Sequence, residues 1–285
     1  MRWTPGGPSA DLEDDRGDSG GGGGGNFGRL GIGGFLLLLV LSVVFHRNFF
    51  ALVGAGGGAP SGPAAQTAPH ASSPEEDKLV QFVSFVLDDD QKEWTEIFSR
   101  TGRTYRHAKL VLFTDRVRSG CGFAETAMGP FYCPADEKVY IDLGFYRELR
   151  DRFGAPGEFA EAYVIAHELG HHVQKQLGIS DKVESLQQQN PRNANELSVK
   201  LELQADCLAG VWGHTAAQRN LLDPGDLDDG LRAAAAVGDD RIQKQATGEV
   251  HPETWTHGSS EQRTKWFRAG FDSGDMGHCD TFSSR

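Results

Sequence analysis

His167-Glu168-Leu169-Gly170-His171 carries the clearest chemistry in the chain. Positions four apart on a helix differ by about 40° in azimuth, so both imidazoles leave one face and can share a metal ion, with Glu168 bordering the same space. That is the geometry of a zinc hydrolase. A catalytic zinc needs a third protein ligand and an open fourth position for water. Leu201-Glu202-Leu203-Gln204-Ala205-Asp206 offers that ligand, because carboxylates four apart amid apolar neighbours face one way from a largely buried helix. Buried carboxylates need partners. Glu202 is therefore the expected third ligand, and Asp206 the acceptor that orients His167 or another ligand. His172, turned about 100° from His171, reads as a polar neighbour.

The elements that must position these groups follow from periodicity. Phe159, Tyr163, Ala166, Gly170, Val173 and Leu177 trace one face of a helix that stops at Gly178. A second long helix is expected from about Asn195 to Ala217, a third from about Asp226 to Gln245, and a last one opened by Ser259 or Ser260. Upstream, Ser73-Pro74-Glu75-Glu76 announces a helix with Leu79, Phe82, Val83 and Val86 on its apolar face. His107–Phe113 and Lys138–Leu143 are short β-rich runs. Within the second, Val139-Tyr140-Ile141-Asp142 is a candidate edge strand that could pair with an extended peptide. The fold class is α+β, a small sheet packed beside a mainly helical subdomain.

Charge excludes one class of partner. The 285 residues carry a formal net charge of -12, which repels a phosphate backbone, so nucleic acid is not expected. The N-terminal region differs in kind from the rest. Residues 1–29 combine prolines, acids and a glycine run, and are expected to be a disordered acidic tail. Leu30 to Phe45 is without charge, and apolar character resumes at Phe49–Val53, so residues 30–53 read as one N-terminal transmembrane signal-anchor helix with Arg47 snorkelling to the interface. A cleaved signal peptide and a buried core helix are the competing readings. Residues 54–73 then form a flexible linker, and 74–285 the metal-binding domain.

Cys121 and Cys133 bracket a Gly/Pro-rich segment that reads as a loop, which a disulfide would staple. Cys207 lies in a predicted helix and Cys279 near the C-terminus, so a second bridge could tie down the tail. Four cysteines allow three pairings, and spacing does not choose among them. Free thiols or an all-cysteine zinc site are the alternatives, but no pair shows Cys-x-x-Cys spacing. Disulfides place the domain outside the cytoplasm, in the cell envelope.

His-Glu-Leu-Gly-His-His at 167–172, Glu202-x-x-x-Asp206, Gly129-Pro130-Phe131-Tyr132-Cys133-Pro134 and Thr256-His257-Gly258-Ser259-Ser260-Glu261-Gln262-Arg263 together resemble the neutral zinc metallopeptidase family of bacteria. The resemblance covers residues 75 to 285 and leaves out the glycine-rich tail. It implies a single-pass anchored, zincin-like peptidase with the gluzincin ligand pattern. In such an enzyme zinc held by His167, His171 and Glu202 activates a water, Glu168 takes its proton, and a peptide or protein substrate is cleaved. Placement and resemblance together make His257 a catalytic candidate, an imidazole donor to the developing oxyanion, on a loop that Arg263 could anchor through a carboxylate. Two other readings keep the same ligands: a zinc-stabilised, non-catalytic binding or adaptor protein of the envelope, and a cell-wall peptide amidase. The oligomeric state is not legible.

Overall fold

The computed structural model describes residues 1–17 and 72–283. The expected span at 30–53 lies outside the described residues, as does nearly all of the expected linker, and no described helix is long and apolar enough to cross a membrane. In chain order the elements are β1 (Leu12–Asp14), α1 (Pro74–Arg100), β2 (Lys109–Phe113), β3 (Arg116–Ser119), β4 (Gly122–Glu125), β5 (Phe131–Cys133), β6 (Lys138–Asp142), α2 (Gly144–Asp151) and α3 (Glu158–Gln176). They continue with α4 (Ile179–Gln189), α5 (Ala194–Gln218), α6 (Asp226–Ala236), α7 (Asp239–Thr247) and α8 (Ser260–Ser273). The architecture is α+β, with a four-stranded sheet ordered β1-β2-β6-β5 and a separate β3-β4 hairpin.

Local signals set most boundaries. Ser73 accepts from the Glu76 amide at 3.2 Å while the Glu76 carboxylate accepts from the Ser73 amide at 2.9 Å, a reciprocal box that opens α1. Ser259 and Gln262 open α8 in the same way. Gly178 takes the left-handed conformation that closes α3, and α4 starts directly after it.

Three expectations are corrected. The helix expected over 226–245 is two, α6 and α7, broken at Gly238, whose extended backbone packs so closely on Ser260 that a Cβ there would clash with the Ser260 backbone. The segment between Cys121 and Cys133 is not a plain loop; it holds β4 and the start of β5. The Val139–Asp142 strand has no free edge. β6 pairs in parallel with β2 and antiparallel with β5, because its alternating side chains are buried on both faces. Among the described residues the outer strands of this sheet are β5 and β1.

One sheet face, with Leu110, Leu112, Val139 and Ile141, packs on Val83, Val86 and Leu87 of α1 and Ile165, Ala166 and Leu169 of α3. Its other face buries Val111, Phe113 and Tyr140 beneath Val117 and Phe131. Two helix crossings are unusually close. A Cβ on Gly170 of α3 would sit 3.1 Å from the Ala205 carbonyl of α5, and one on Gly270 of α8 would overlap the Cys207 carbonyl, also of α5. Three helices are thereby drawn onto one another at the level of the His-Glu motif.

Residues 1–17 are ordered, contrary to the expectation of disorder over 1–29. β1 adds to β2 in parallel, with Leu12 opposite Leu110, Leu110 N–H donating to the Asp11 carbonyl at 2.9 Å and Asp15 N–H to the Leu112 carbonyl at 2.8 Å. Prolines and acids suggested a segment with nothing to bury, but the acids meet cations, and Met1, Trp3 and Leu12 pack against the core. Asp11 accepts from Lys109 Nζ at 2.8 Å and lies 2.7 Å from His107 Nδ1, and Glu13 accepts from Lys138 Nζ at 2.6 Å. Trp3 sits edge-on to Phe82 of α1, with ring centroids 5.4 Å apart. Burial pushes the Asp11 carboxyl up, but Lys109 and His107 outweigh it and hold it below its ordinary 3.8. A depressed carboxylate stabilises the fold above its unfolded pKa and loses that effect as pH falls through the folded value. Lys109 and His107 are substantially exposed, so Asp11→Ala is expected to cost about 1 kcal/mol and to lower Tm by about 2–4 °C at neutral pH. Thermal scans of both proteins should converge as pH drops below the ordinary carboxylate range; a difference that persists there contradicts the ionic role.

Candidate metal centre

The close approach at Gly170 and Ala205 sets the motif of α3 against the Glu202–Asp206 turn of α5, so that all five site residues expected from these two helices, His167, Glu168, His171, Glu202 and Asp206, come together. His167 Nε2 lies 3.2 Å from one Glu202 oxygen and His171 Nε2 lies 3.4 Å from the other. The ligating atoms of His167, His171 and Glu202 all fall within 4.8 Å of one another. Donors about 2.0–2.1 Å from a tetrahedral zinc sit roughly 3.3 Å apart, so these separations suit a shared ion. Glu168 is buried beside them.

The remaining ring nitrogens are engaged, which leaves both Nε2 atoms for the metal side. His167 Nδ1 is 2.9 Å from Asp206 Oδ1, and His171 Nδ1 is 2.8 Å from Gln174 Oε1. An N–H donated to each oxygen fixes both rings and their tautomers. Asp206, fully buried, also accepts from Tyr163 OH and from Arg263, at 2.8 Å from Nε and 2.9 Å from Nη2. The carboxylate expected to receive Arg263 is thus Asp206 itself, and α8 is locked to the helix bearing Glu202.

Sequence reasoning passed over Gln174 and Tyr163. Gln174 is fully buried and donates to the Leu201 carbonyl at 2.7 Å and to Gln204 Oε1 at 3.1 Å, while Gln204 donates to the Cys279 carbonyl at 2.9 Å. Its position three residues after His171 on the buried side of the helix was the available signal. His172 is not among the converging groups: its Nε2 meets the Arg106 carbonyl at 2.7 Å and its Nδ1 the Tyr132 hydroxyl at 3.0 Å. Both disulfides are formed, Cys121–Cys133 and Cys207–Cys279.

His257 stands on the loop before α8. Asp239, the first residue of α7, gathers that loop by accepting from the amides of Thr256, His257 and Gly258 on one oxygen, at 2.9, 2.7 and 3.0 Å. Its other oxygen lies 3.2 Å from His257 Nδ1. Gly258 packs against Val199 and Leu203, on the helix that carries Glu202. Reading 226–245 as one helix hid this role of Asp239.

Charge makes the pocket ready for a cation. Glu168, Glu202 and Asp206 face one guanidinium, Arg263, leaving two negative charges when all three carboxyls are ionised and the imidazoles neutral. Burial alone would lower the His167 pKa, but Asp206 and Glu202 outweigh it and push the value up to about 10. Burial would raise Glu202, yet the His171 charge and hydrogen bonds from both imidazoles hold it well below its ordinary range. Glu168 has burial as its main influence and is raised. A zinc ion must displace the proton of His167, so binding at pH 7 is expected to release about one proton per metal. Affinity should accordingly climb with pH from 7 towards 10 and then level. Calorimetric zinc titrations in buffers of different ionisation enthalpy measure this; no buffer dependence would contradict it.

The chain matches the family described as "Putative neutral zinc metallopeptidase" over residues 1–282. It is 48% identical over 286 residues to YpfJ of Escherichia coli, across 99% of each chain, a relative described as uncharacterized. It is also 48% identical over 191 residues to Rv2575 of Mycobacterium tuberculosis, likewise described as uncharacterized, across 63% of this chain and 64% of that one. No solved structure matches. The N-terminal acidic and glycine-rich stretch, expected to fall outside the resemblance, is covered by the family match, which agrees with the docking of residues 1–17. By this match, and by the paired histidines and glutamates that converge in its core, the chain belongs to the neutral zinc metallopeptidase family.

Proposed function

We propose that this chain is a zinc-dependent peptidase of the cell envelope, acting on peptide or protein substrates. The observation that carries the reading is the three-donor cluster of His167, His171 and Glu202 with buried Glu168 at its side. Among the described residues it gathers three protein donors, the number that leaves a position open for water. A purely structural zinc takes four, which weighs against the adaptor reading. A cell-wall peptide amidase would use the same groups on a different substrate.

Zinc, when bound, supplies a Lewis acid that lowers the pKa of water and polarises a carbonyl. The chain's own groups do the rest. Glu168, with a carboxyl raised by burial, accepts a proton from the attacking water and returns it to the departing nitrogen. Asp206 holds His167, and Gln174 holds His171, each by its Nδ1 proton. His257, its Nδ1 beside Asp239, keeps Nε2 for the oxygen on which charge develops. Burial would lower its pKa, but the hydrogen bond to Asp239 and the Glu202 charge raise it, which favours a donating imidazolium. The outer edge of β5 offers main-chain groups to an extended peptide, and Tyr132 of β5 bonds His172 of α3, so that edge runs beside the metal helix.

The two disulfides support a location outside the cytoplasm, where such bonds persist. The apolar stretch 30–53 would tie the enzyme to the membrane.

Glu168→Gln is expected to keep one zinc per chain while peptide cleavage falls by about 10²–10⁴-fold. Metal analysis alongside product mapping on a peptide library checks both; a fully active variant refutes the assignment. His257→Ala should lower kcat by about 10²–10³-fold with zinc content and Tm unchanged. Loss of zinc in that variant would make His257 a ligand instead.

A further inference from the structure

His172 directly follows a metal-side histidine, yet it turns away from the three-donor cluster. It is fully buried. Its Nε2 lies 2.7 Å from the Arg106 carbonyl, an oxygen that can only accept, so Nε2 carries the proton and Nδ1 is left as an acceptor. The Tyr132 hydroxyl, 3.0 Å from Nδ1, is therefore the donor. One ring with a fixed tautomer thus joins α3 to two separate pieces of chain, the approach to β2 and the strand β5.

Arg106 gives that contact a firm base. Gln176, one turn further along α3, accepts from the Arg106 amide at 2.8 Å through Oε1 and donates to the Arg106 carbonyl at 2.9 Å through Nε2. The Tyr105 ring meets His172 edge-on, with centroids 5.5 Å apart. His172 cannot shift without breaking these contacts, and the helix turn that carries His171 is held with it.

β5 is the piece that needs holding. It has three residues, is an outer strand of the sheet, and among the described residues pairs with β6 alone. So short a strand with one neighbour opens easily unless its side chains fasten it. Those side chains alternate between the two faces. Phe131 stacks on Tyr140 with centroids 4.9 Å apart, and Cys133 is bonded to Cys121 at the turn between β3 and β4, so both are fixed on the sheet face away from α3. On the α3 side the strand has Tyr132, whose ring packs on the main core and whose hydroxyl ends on His172. Ring packing alone does not need the hydroxyl. The hydroxyl adds a directional bond, and that bond sets how far β5 stands from the turn bearing His171.

We propose that His172 and Tyr132 are positioning residues for the substrate: their bond holds the main-chain edge of β5 at the distance from the metal-binding turn at which an extended peptide, paired along β5, presents one carbonyl to the metal space. This rests on the peptidase reading above and deepens it, because the substrate it calls for is an extended segment with several residues to pair along the strand. Precision matters here, since a misplacement of about 1 Å costs on the order of 10²-fold in rate.

The test is kinetic, on the zinc-loaded full chain, with a series of blocked peptides from a dipeptide to an octapeptide that share one scissile bond taken from the library products. Tyr132→Phe and His172→Gln are made singly and together; the glutamine amide can replace Nε2–H towards Arg106 and places no acceptor at the Nδ1 position. On the octapeptide, kcat/KM is expected to fall about tenfold in each single variant and no further in the double, chiefly through KM, with one zinc per chain retained. The loss should shrink with each residue removed from the peptide, a dependence that a merely structural role would not give. Equal losses at every length, additive losses in the double variant, loss of zinc, or single variants as active as the wild type would each overturn the proposal. Should His172→Gln not fold, Tyr132→Phe alone reads the same length dependence. A wild-type chain that binds zinc and cleaves no peptide overturns the peptidase reading itself, whereas wild-type cleavage with unchanged variants overturns only the positioning role.

Discussion

The buried carboxylate of Asp206 is the group around which the metal-binding half of the molecule is arranged. A carboxylate with no solvent exposure costs several kcal/mol unless charge and hydrogen bonds replace its water. Here Arg263 supplies the charge, while Tyr163 and His167 supply further donors. These donors come from α3 and α8, and Asp206 itself from α5, so its satisfaction requires three helices in one relative placement. Removing either member of such a pair costs about 3–5 kcal/mol because the other stays buried and uncompensated. The glycines at 170 and 270 let the helices come near enough for those bonds to form.

The same demand for satisfaction gives the site its chemistry. Once Asp206 accepts a hydrogen bond from His167 Nδ1–H, and Gln174 Oε1 one from His171 Nδ1–H, both imidazoles present Nε2 to Glu202. Gln174 in turn rests on Gln204, and Gln204 on the Cys279 carbonyl, whose residue is bonded to Cys207 on α5. The C-terminal disulfide therefore braces the same helix that carries Glu202. Two routes of positioning, one ionic through Arg263 and one amide-based through Gln174, converge on one cation-binding space.

The sheet shows a second dependence on distant residues. β2 and β6 are central, β5 is the edge strand near the metal helix, and β1 is the other edge strand, covering β2. The N-terminal segment thereby becomes part of the domain instead of a tail preceding it.

The metal helix, its two histidines, the neighbouring glutamate and the carboxylate pair on α5 were legible in the residues alone. Helical geometry fixes which side chains share a face, and burial of carboxylates demands partners whatever the fold. The capped starts of α1 and α8 were legible for the same local reason. Interactions between elements were not. Spacing says nothing about which cysteines pair, whether a β-rich strand is central or at an edge, or that Asp239 holds the His257 loop, because each depends on residues brought together from far along the chain. Residues 1–17 show this most clearly. Their prolines and acids lack any periodicity of their own, and only the cations of β2 and β6, the aromatic face of α1 and the open edge of β2 give them something to fold against.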